Sequence, residues 1–312
     1  MKISSKKTKN IIIFTIIFII VGIFYAYRIK YPSNNFKTGA YDENSINSLK
    51  IATSYPVIGN LINFISDNKI EVIYANCIGQ ETDCPEQFLK RAKNENIKIF
   101  FSLGGGFDGW ISKISKSNQL KIIDLSQDLE TPPVSYQNIF PNSNNDQYTP
   151  RYYWLSMHNA QKMVNVIART LGQYDIINRE IYISQAYDYN ISLDNAYRNF
   201  KDSLKQINKK DIIVFKDQWK DFTYDFDLPI KGIFNIPQDE KREDFFKELQ
   251  QYLKKNKNTF ILTDTLFPSE DFLSQIKDPK IKIATIDPFG DLFKTEYIDV
   301  MRYNISQLIN SF

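Results

Sequence analysis

The chain holds one histidine, His158, in 312 residues. A site built from several imidazoles is therefore excluded, and a Ser-His-Asp arrangement could form only around that one residue. Cysteine is nearly as scarce. Cys77 and Cys84 leave room for one local disulfide or two thiols, and their spacing matches no common zinc motif. The most conspicuous glycine cluster is "FFSLGGGFDGW" at 100–110, in which neither G-x-G-x-x-G nor G-x-x-x-x-G-K-[ST] can be read. It reads as a tight strand-to-helix turn lining a cleft. No Ser or Cys carries a nucleophile-elbow signature, and no acid–base pair can be assembled from the motifs. An enzyme is not expected.

Residues 11–27, "IIIFTIIFIIVGIFYAY", form a charge-free run of 17 residues, the short end of what spans a bilayer. Lys2, Lys6, Lys7 and Lys9 precede it, and Arg28 and Lys30 follow, which points to a cytoplasmic N-terminus and an exported remainder. The bulky "GIFYAYRIK" lacks the small-x-small site of a cleaved signal, and no Cys follows the run to carry a lipid. An uncleaved anchor in the cell membrane is the expectation. The chain then divides into a basic cytoplasmic segment 1–10, the anchor 11–27, a polar stalk 28–48, a lobe 49–155, a linker helix 156–172 and a second lobe 173–312.

Six of the 39 Lys/Arg and none of the 36 Asp/Glu lie in residues 1–30, so the exported part carries 33 basic against 36 acidic residues, a net charge of −3. The basic balance of the whole chain belongs to the anchor flank, and nucleic-acid binding has no warrant. Nineteen Tyr and 23 Phe can furnish a substantial core.

From residue 49 onward, short apolar runs alternate with amphipathic stretches. "LKIATSYP", "IEVIYANC", "IKIFFSLG" and "LKIIDLS" read as strands, with helices at "VIGNLINFISD", "PEQFLKRAKNEN" and "FDGWISKISKS". Residues 127–150 carry four prolines and many Asn and Ser, and read as a long loop. Ser156 is placed to cap a helix through "MHNAQKMVNVIARTLGQYD", and a longer one follows at about 178–207. "DIIVFKD", "IKGIFNI", "TFILTDT" and "KIKIATIDP" continue as strands. The result is an α/β fold of two lobes, each with a mainly parallel sheet flanked by helices.

Asp83, Asp217, Asp264 and Asp287 each stand at or just beyond the C-terminal end of an expected strand, where open α/β sheets bind ligands. His158, on the first turn of the linker helix, reads as an exposed or capping residue.

Three segments, in order and sensibly spaced, resemble the zinc/manganese solute-binding proteins of metal ABC transporters. "IDPFGDLFKTEYIDVMRYN" is similar to that family's D-P-[LF]-G and Y-[IL]-x-x-M-R-x-N, through Asp287, Pro288, Phe289, Gly290, Tyr297, Met301, Arg302 and Asn304. "YYWLSMHNA" resembles H-x-W-L-[DS]-P-x-N-A, and "GGGFDGWISKI" resembles G-x-G-[LF]-[ED]-x-W-[IL]. The resemblance covers 49–312. It implies a stiff joining helix, one divalent ion in the cleft between the lobes, and delivery to a membrane permease driven by an ATPase, by a monomer.

The departures fall on the ligands that the resemblance implies. The first, a His, matches the loop "GQETDCPEQF", which offers Asp83 or Cys84. The second, the His two residues before the Trp, is here Tyr152. The third matches Lys216, with Asp217 beside it, and the fourth matches Asp264. Asp83, Tyr152, Asp217 and Asp264 are thus the candidate metal-site residues. No imidazole stands among them, and a Lys ammonium repels a dication. The expectation is a degenerate site better suited to manganese, magnesium or calcium than to zinc. The alternative is an adhesin-like or structural surface protein that keeps the fold without cargo, with Lys216 standing in for the ion by pairing with Asp264 or Asp83.

Overall fold

The computed structural model describes residues 49–75, 84–113, 120–133, 136, 139, 150–236, 242–266, 268, 270–276, 281–290 and 296–311. The 11–27 run, Cys77 and Asp83 lie outside the described residues, and so does any Cys77–Cys84 bond. Among the described residues no helix is long and apolar enough to cross a membrane.

The first lobe runs β1 (Lys50–Thr53), α1 (Pro56–Ile65), β2 (Glu71–Tyr74), α2 (Cys84–Asn94), β3 (Ile99–Ser102) and β4 (Lys121–Asp124). Its strands are all parallel, in the order β2-β1-β3-β4. Two helices follow, α3 (Met157–Tyr174) and α4 (Arg179–Ser203). The second lobe then runs β5 (Asp211–Val214), α5 (Lys220–Asp225), β6 (Ile230–Ile233), α6 (Arg242–Lys255), β7 (Thr259–Asp264), α7 (Glu270–Ser274), β8 (Ile283–Ile286) and α8 (Tyr297–Asn310). Its sheet is also parallel, in the order β6-β5-β7-β8. The expected strands and the two-lobed parallel architecture are therefore observed. The central strands β3 and β7 are buried along their whole length, as parallel strands covered on both faces must be.

The two strand orders place the ligand-bearing ends. In each sheet the chain reverses its direction of winding, between β1 and β3 in the first lobe and between β5 and β7 in the second. The loops leaving those strands diverge to opposite faces and open a crevice at the C-terminal ends. Tyr55 and Phe107 come from the first crevice, and Gln218 and Asp264 from the second.

Local chemistry explains the elements around these crevices. Pro56 opens α1, where its missing N–H costs nothing. Ser156 caps α3 as the sequence suggests, its Oγ accepting from Asn159 N at 3.2 Å. The α3 helix packs on α1, whereas α4 touches both α1 and the second lobe's α8. One hydrophobic core runs continuously from α1 through α3 and α4 to α8, with a smaller cluster on the outer face of each sheet.

Between the lobes the chain passes through a short 3₁₀ turn, Tyr153–Leu155, staked from both sides. The Tyr153 hydroxyl donates to Leu103 O in the first lobe. Trp154, fully buried, donates Nε1–H to Pro288 O at 2.5 Å in the second, and its own carbonyl accepts from Tyr297 Oη at 2.6 Å. Replacing Trp154 by Phe leaves Pro288 O unpaired and a small void. A loss of about 2–3 kcal/mol is expected, read as a lower urea midpoint at unchanged slope.

Candidate functional site

Tyr152 enters from the loop that precedes the 3₁₀ turn and is pinned by its backbone, with Tyr152 N donating to Gln218 O at 2.9 Å. Its ring fits among Phe107, Trp154, Trp219 and Phe289, with centroids 5.2–5.7 Å away. Most of these pairs are tilted or edge-on, the arrangement that ring quadrupoles favour. Tyr55 of the first lobe stacks on Phe289 of the second at 5.0 Å, and Val57 N donates to Phe289 O at 3.1 Å. Six aromatic rings from both lobes therefore fill the inner end of the cleft.

The Tyr152 hydroxyl points to Asp264, at the end of β7, and donates to its Oδ2 at 3.0 Å. Gln218 Nε2 donates to the same oxygen at 2.8 Å, and Leu266 N donates to Oδ1 at 2.8 Å. Asp264 is almost fully buried, so each of these donors offsets desolvation of a carboxylate. Burial, with the neighbouring Asp264 charge, pushes the Tyr152 phenol far above its ordinary pKa, and it stays a protonated donor.

Two of the four candidate residues, Tyr152 and Asp264, are thus brought into contact. Asp217 is turned elsewhere: its Oδ2 pairs with Lys220 Nζ at 2.5 Å, across the turn that leads into α5. Asp83 lies outside the described residues. Lys216 is exposed, and partial desolvation lowers its pKa while the Asp264 charge raises it. Among the described residues no group of three or more His, Cys, Asp or Glu side chains could hold a metal ion. The donor set at Asp264 is a phenol, an amide and a backbone N–H, all of which present hydrogens where a cation needs lone pairs. As it stands, this arrangement does not fit a dication.

His158 faces away from this crevice and pairs through Nδ1 with Asp225 Oδ1, while Asp225 Oδ2 accepts from Met157 N at 2.7 Å. Its role is at the start of α3. Asp287, singled out only for its position, holds the turn that follows β8: its Oδ1 accepts from Phe289 N at 2.9 Å and Gly290 N at 3.1 Å. Asn304 of α8 completes the turn, donating to Asp287 O at 2.6 Å and accepting from Asp287 N at 2.8 Å. Gly290 sits at φ +77°, where a side chain would be strained. The D-P-F-G and M-R-x-N segments are therefore two halves of one buried joint.

Asp108, in the glycine-rich segment, ties down the loop after β3. Its Oδ2 accepts from Leu103 N at 2.6 Å and Gly104 N at 3.3 Å, while no hydrogen bond reaches Oδ1 among the described residues. Burial pushes its pKa up to about 6, with a smaller push from Asp124; Ser54 and the two backbone N–H groups oppose both. Gln218, Trp219 and Tyr55 complete the site without any signal in the sequence, whereas Phe107 and Phe289 lie inside segments that drew attention for other reasons.

A two-lobed α/β binding protein with its cleft at the switch points of both sheets is what this geometry defines. The comparisons with known proteins agree. The model of the family described as "ZnuA: Zinc-uptake complex component A periplasmic" matches residues 51–311. The chain belongs to that family. It is 20% identical to the manganese-binding lipoprotein MntA of Halalkalibacterium halodurans, over 84% of this chain and 88% of that protein. It is 23% identical to the manganese ABC transporter substrate-binding lipoprotein PsaA of Streptococcus mitis, over 87% and 91%. Among solved structures, ZnuA superposes with a TM-score of 0.66 at 18% identity, covering 85% of this chain and 99% of that one. The SBP FpvC of Pseudomonas aeruginosa in complex with Mn2+ does so at 0.65 and 17% identity, covering 84% and 98%. These structural likenesses concern the fold.

Two consequences are measurable. Tyr152→Phe removes one of the donors on buried Asp264 and is expected to lower stability by about 2 kcal/mol in urea denaturation. Asp108 titrates the other way from a paired carboxylate. Because its folded pKa is raised, the unfolded chain releases the proton first, and stability falls as pH rises from about 4 to about 6. Asp108→Asn should remove roughly 2 kcal/mol of that pH dependence, measured as the difference in unfolding free energy between pH 4 and pH 7.

Proposed function

We propose that this protein is the extracytoplasmic solute-binding component of a metal-ion ABC transporter and that its cargo position is degenerate. It is held at the cell membrane by residues 11–27, works as a monomer, and hands its cargo to a permease. Family membership over 51–311 supports the first part. The observation that carries the second is the Tyr152–Asp264–Gln218 cluster, in which a protonated phenol and an amide N–H take up the carboxylate oxygen of Asp264.

A divalent cation entering here must first displace the Tyr152 and Gln218 donors from Asp264 Oδ2. That exchange leaves a buried amide and phenol to be satisfied elsewhere, and the cost subtracts from affinity. Asp264, Asp217 and Asp83 would supply oxygen, the donor preferred by manganese, magnesium and calcium, and no imidazole is available for zinc. The Lys216 ammonium opposes any dication held near Asp264. Relatives named for manganese and zinc support the class of cargo, and the altered donor set supports weak binding of it.

Equilibrium dialysis of the full chain with metal analysis tests the degenerate cargo position. Expected is no stoichiometric zinc at nanomolar free metal, and manganese retained only at far higher concentration. One zinc held per chain at nanomolar free zinc would sink the degenerate site while leaving the transport role intact.

A further inference from the structure

Three glycines in succession carry the first lobe's wall of the cleft. Gly104, Gly105 and Gly106 turn the chain after β3 at φ +63°, +54° and +93°. Glycine takes this left-handed region without strain, and it also gains the most freedom when released. With no side chains of its own, the turn is braced by its neighbours. Asp108 Oδ2 accepts from Leu103 N and Gly104 N, and Phe107 N donates to Gly104 O at 2.9 Å. From the other arm of the crevice, the Tyr55 hydroxyl donates to Phe107 O at 3.3 Å. The ring of Phe107 is thereby set against Tyr152, Trp154 and Phe289.

One half of this brace is incomplete. Asp108 and Ser54 are each only 3% exposed. The Ser54 hydroxyl faces the Asp108 carboxylate, near enough to bear on its ionisation. Yet neither Ser54 Oγ nor Asp108 Oδ1 has a hydrogen-bond partner among the described residues. Two buried oxygens thus stand side by side, and each unmet one is costly. The charged group that faces Asp108 is Asp124 at the end of β4, which opposes its ionisation. The Tyr153 phenol also feels the charges of Asp108 and Asp124, and burial keeps it protonated.

We propose that Asp108 is a proton-operated latch on the cleft wall, its protonated Oδ1 donating to Ser54 Oγ and tying the loop after β3 to the residue after β1. Oδ1 takes the proton because Oδ2 already accepts from two N–H groups. The arms of the crevice are then joined at two consecutive residues of each, Ser54 to Asp108 and Tyr55 to Phe107. Ionisation removes the first of these ties and leaves a buried charge beside Asp124, so the loop opens toward water more readily. The sign follows from the raised pKa of about 6: the latch is set below it and released as pH rises through it. Tyr55 and Phe107 both meet Phe289 of the second lobe. The proton therefore governs how firmly the inner cleft is walled.

Amide hydrogen exchange of the full chain in detergent, at pH 5 and pH 7.5 and corrected for intrinsic rates, tests this. Protection of the Leu103, Gly104 and Phe107 amides is expected to fall about tenfold between the two pH values. Asp108→Asn places a neutral N–H donor where the acid has its proton, and should keep these amides protected at both. Ser54→Ala removes the acceptor, and should lower their protection at pH 5 about threefold or more. Amides of β7 in the second lobe serve as the reference. An ionised Asp108 that accepts from the Ser54 hydroxyl would leave the loop as protected at pH 7.5 as at pH 5, which overturns the latch. So does an equal fall at β7, which would mark a change in global stability alone. Unchanged protection at pH 5 in Ser54→Ala overturns it as well, and that arm stands even where Asp108→Asn fails to fold.

Discussion

The fold depends on a few residues of chain, Tyr152 to Leu155, that both lobes hold by buried hydrogen bonds. Tyr153 reaches Leu103 in the first lobe; Trp154 gives its N–H to Pro288 and takes the Tyr297 hydroxyl from the second. Each of these bonds satisfies a polar group that has no access to water, so losing one is costly and none can be exchanged cheaply. Because the same turn presents Tyr152 to Asp264, the geometry of the site is a by-product of the geometry of the joint. Any change in how the lobes meet would be felt at that carboxylate.

The joint is held independently of any cargo. The motif residues that remain are those of the joint: Asp287 and Asn304 lock the turn that carries Phe289, and Phe289 stacks on Tyr55 across the lobes. They are held by backbone bonds and ring contacts that do not involve an ion. The positions matched to ligands answer to different demands. At Tyr152 a phenol fits an aromatic box and still offers a hydrogen to Asp264, so the cluster is stable by itself. A carboxylate that accepts from protein donors has fewer lone pairs left for a cation, and that trade is what the proposed degenerate site rests on.

Much of this was legible before the structure. The alternation of strands and helices follows from periodicity, and Ser156 was recognisable as a cap because a hydroxyl just before an apolar-periodic run satisfies the first orphan N–H groups. Asp264 was visible as an acid ending a buried strand. The resemblance pointed to Tyr152 as the position to watch, and the structure places it against Asp264. Asp217, just beyond the end of β5, turned instead to Lys220, the first residue of α5 three positions on, which the intervening turn brings within reach. Gln218 carried no signal at all: an amide in a loop becomes a site residue only when folding brings an acceptor within 2.8 Å.

The sequence by itself determined the two-lobed parallel architecture, the single histidine that rules out a multi-imidazole site, and the strand ends from which the carboxylates come. These properties depend on local spacing and on residue type, which a linear string displays. The tertiary structure alone decided which donors reach Asp264, that six rings close the inner cleft, and that Ile176 and Ile177 stand exposed on a turn. Such outcomes depend on contacts between residues as far apart as Tyr152 and Asp264, and on which face of a helix the rest of the chain leaves uncovered.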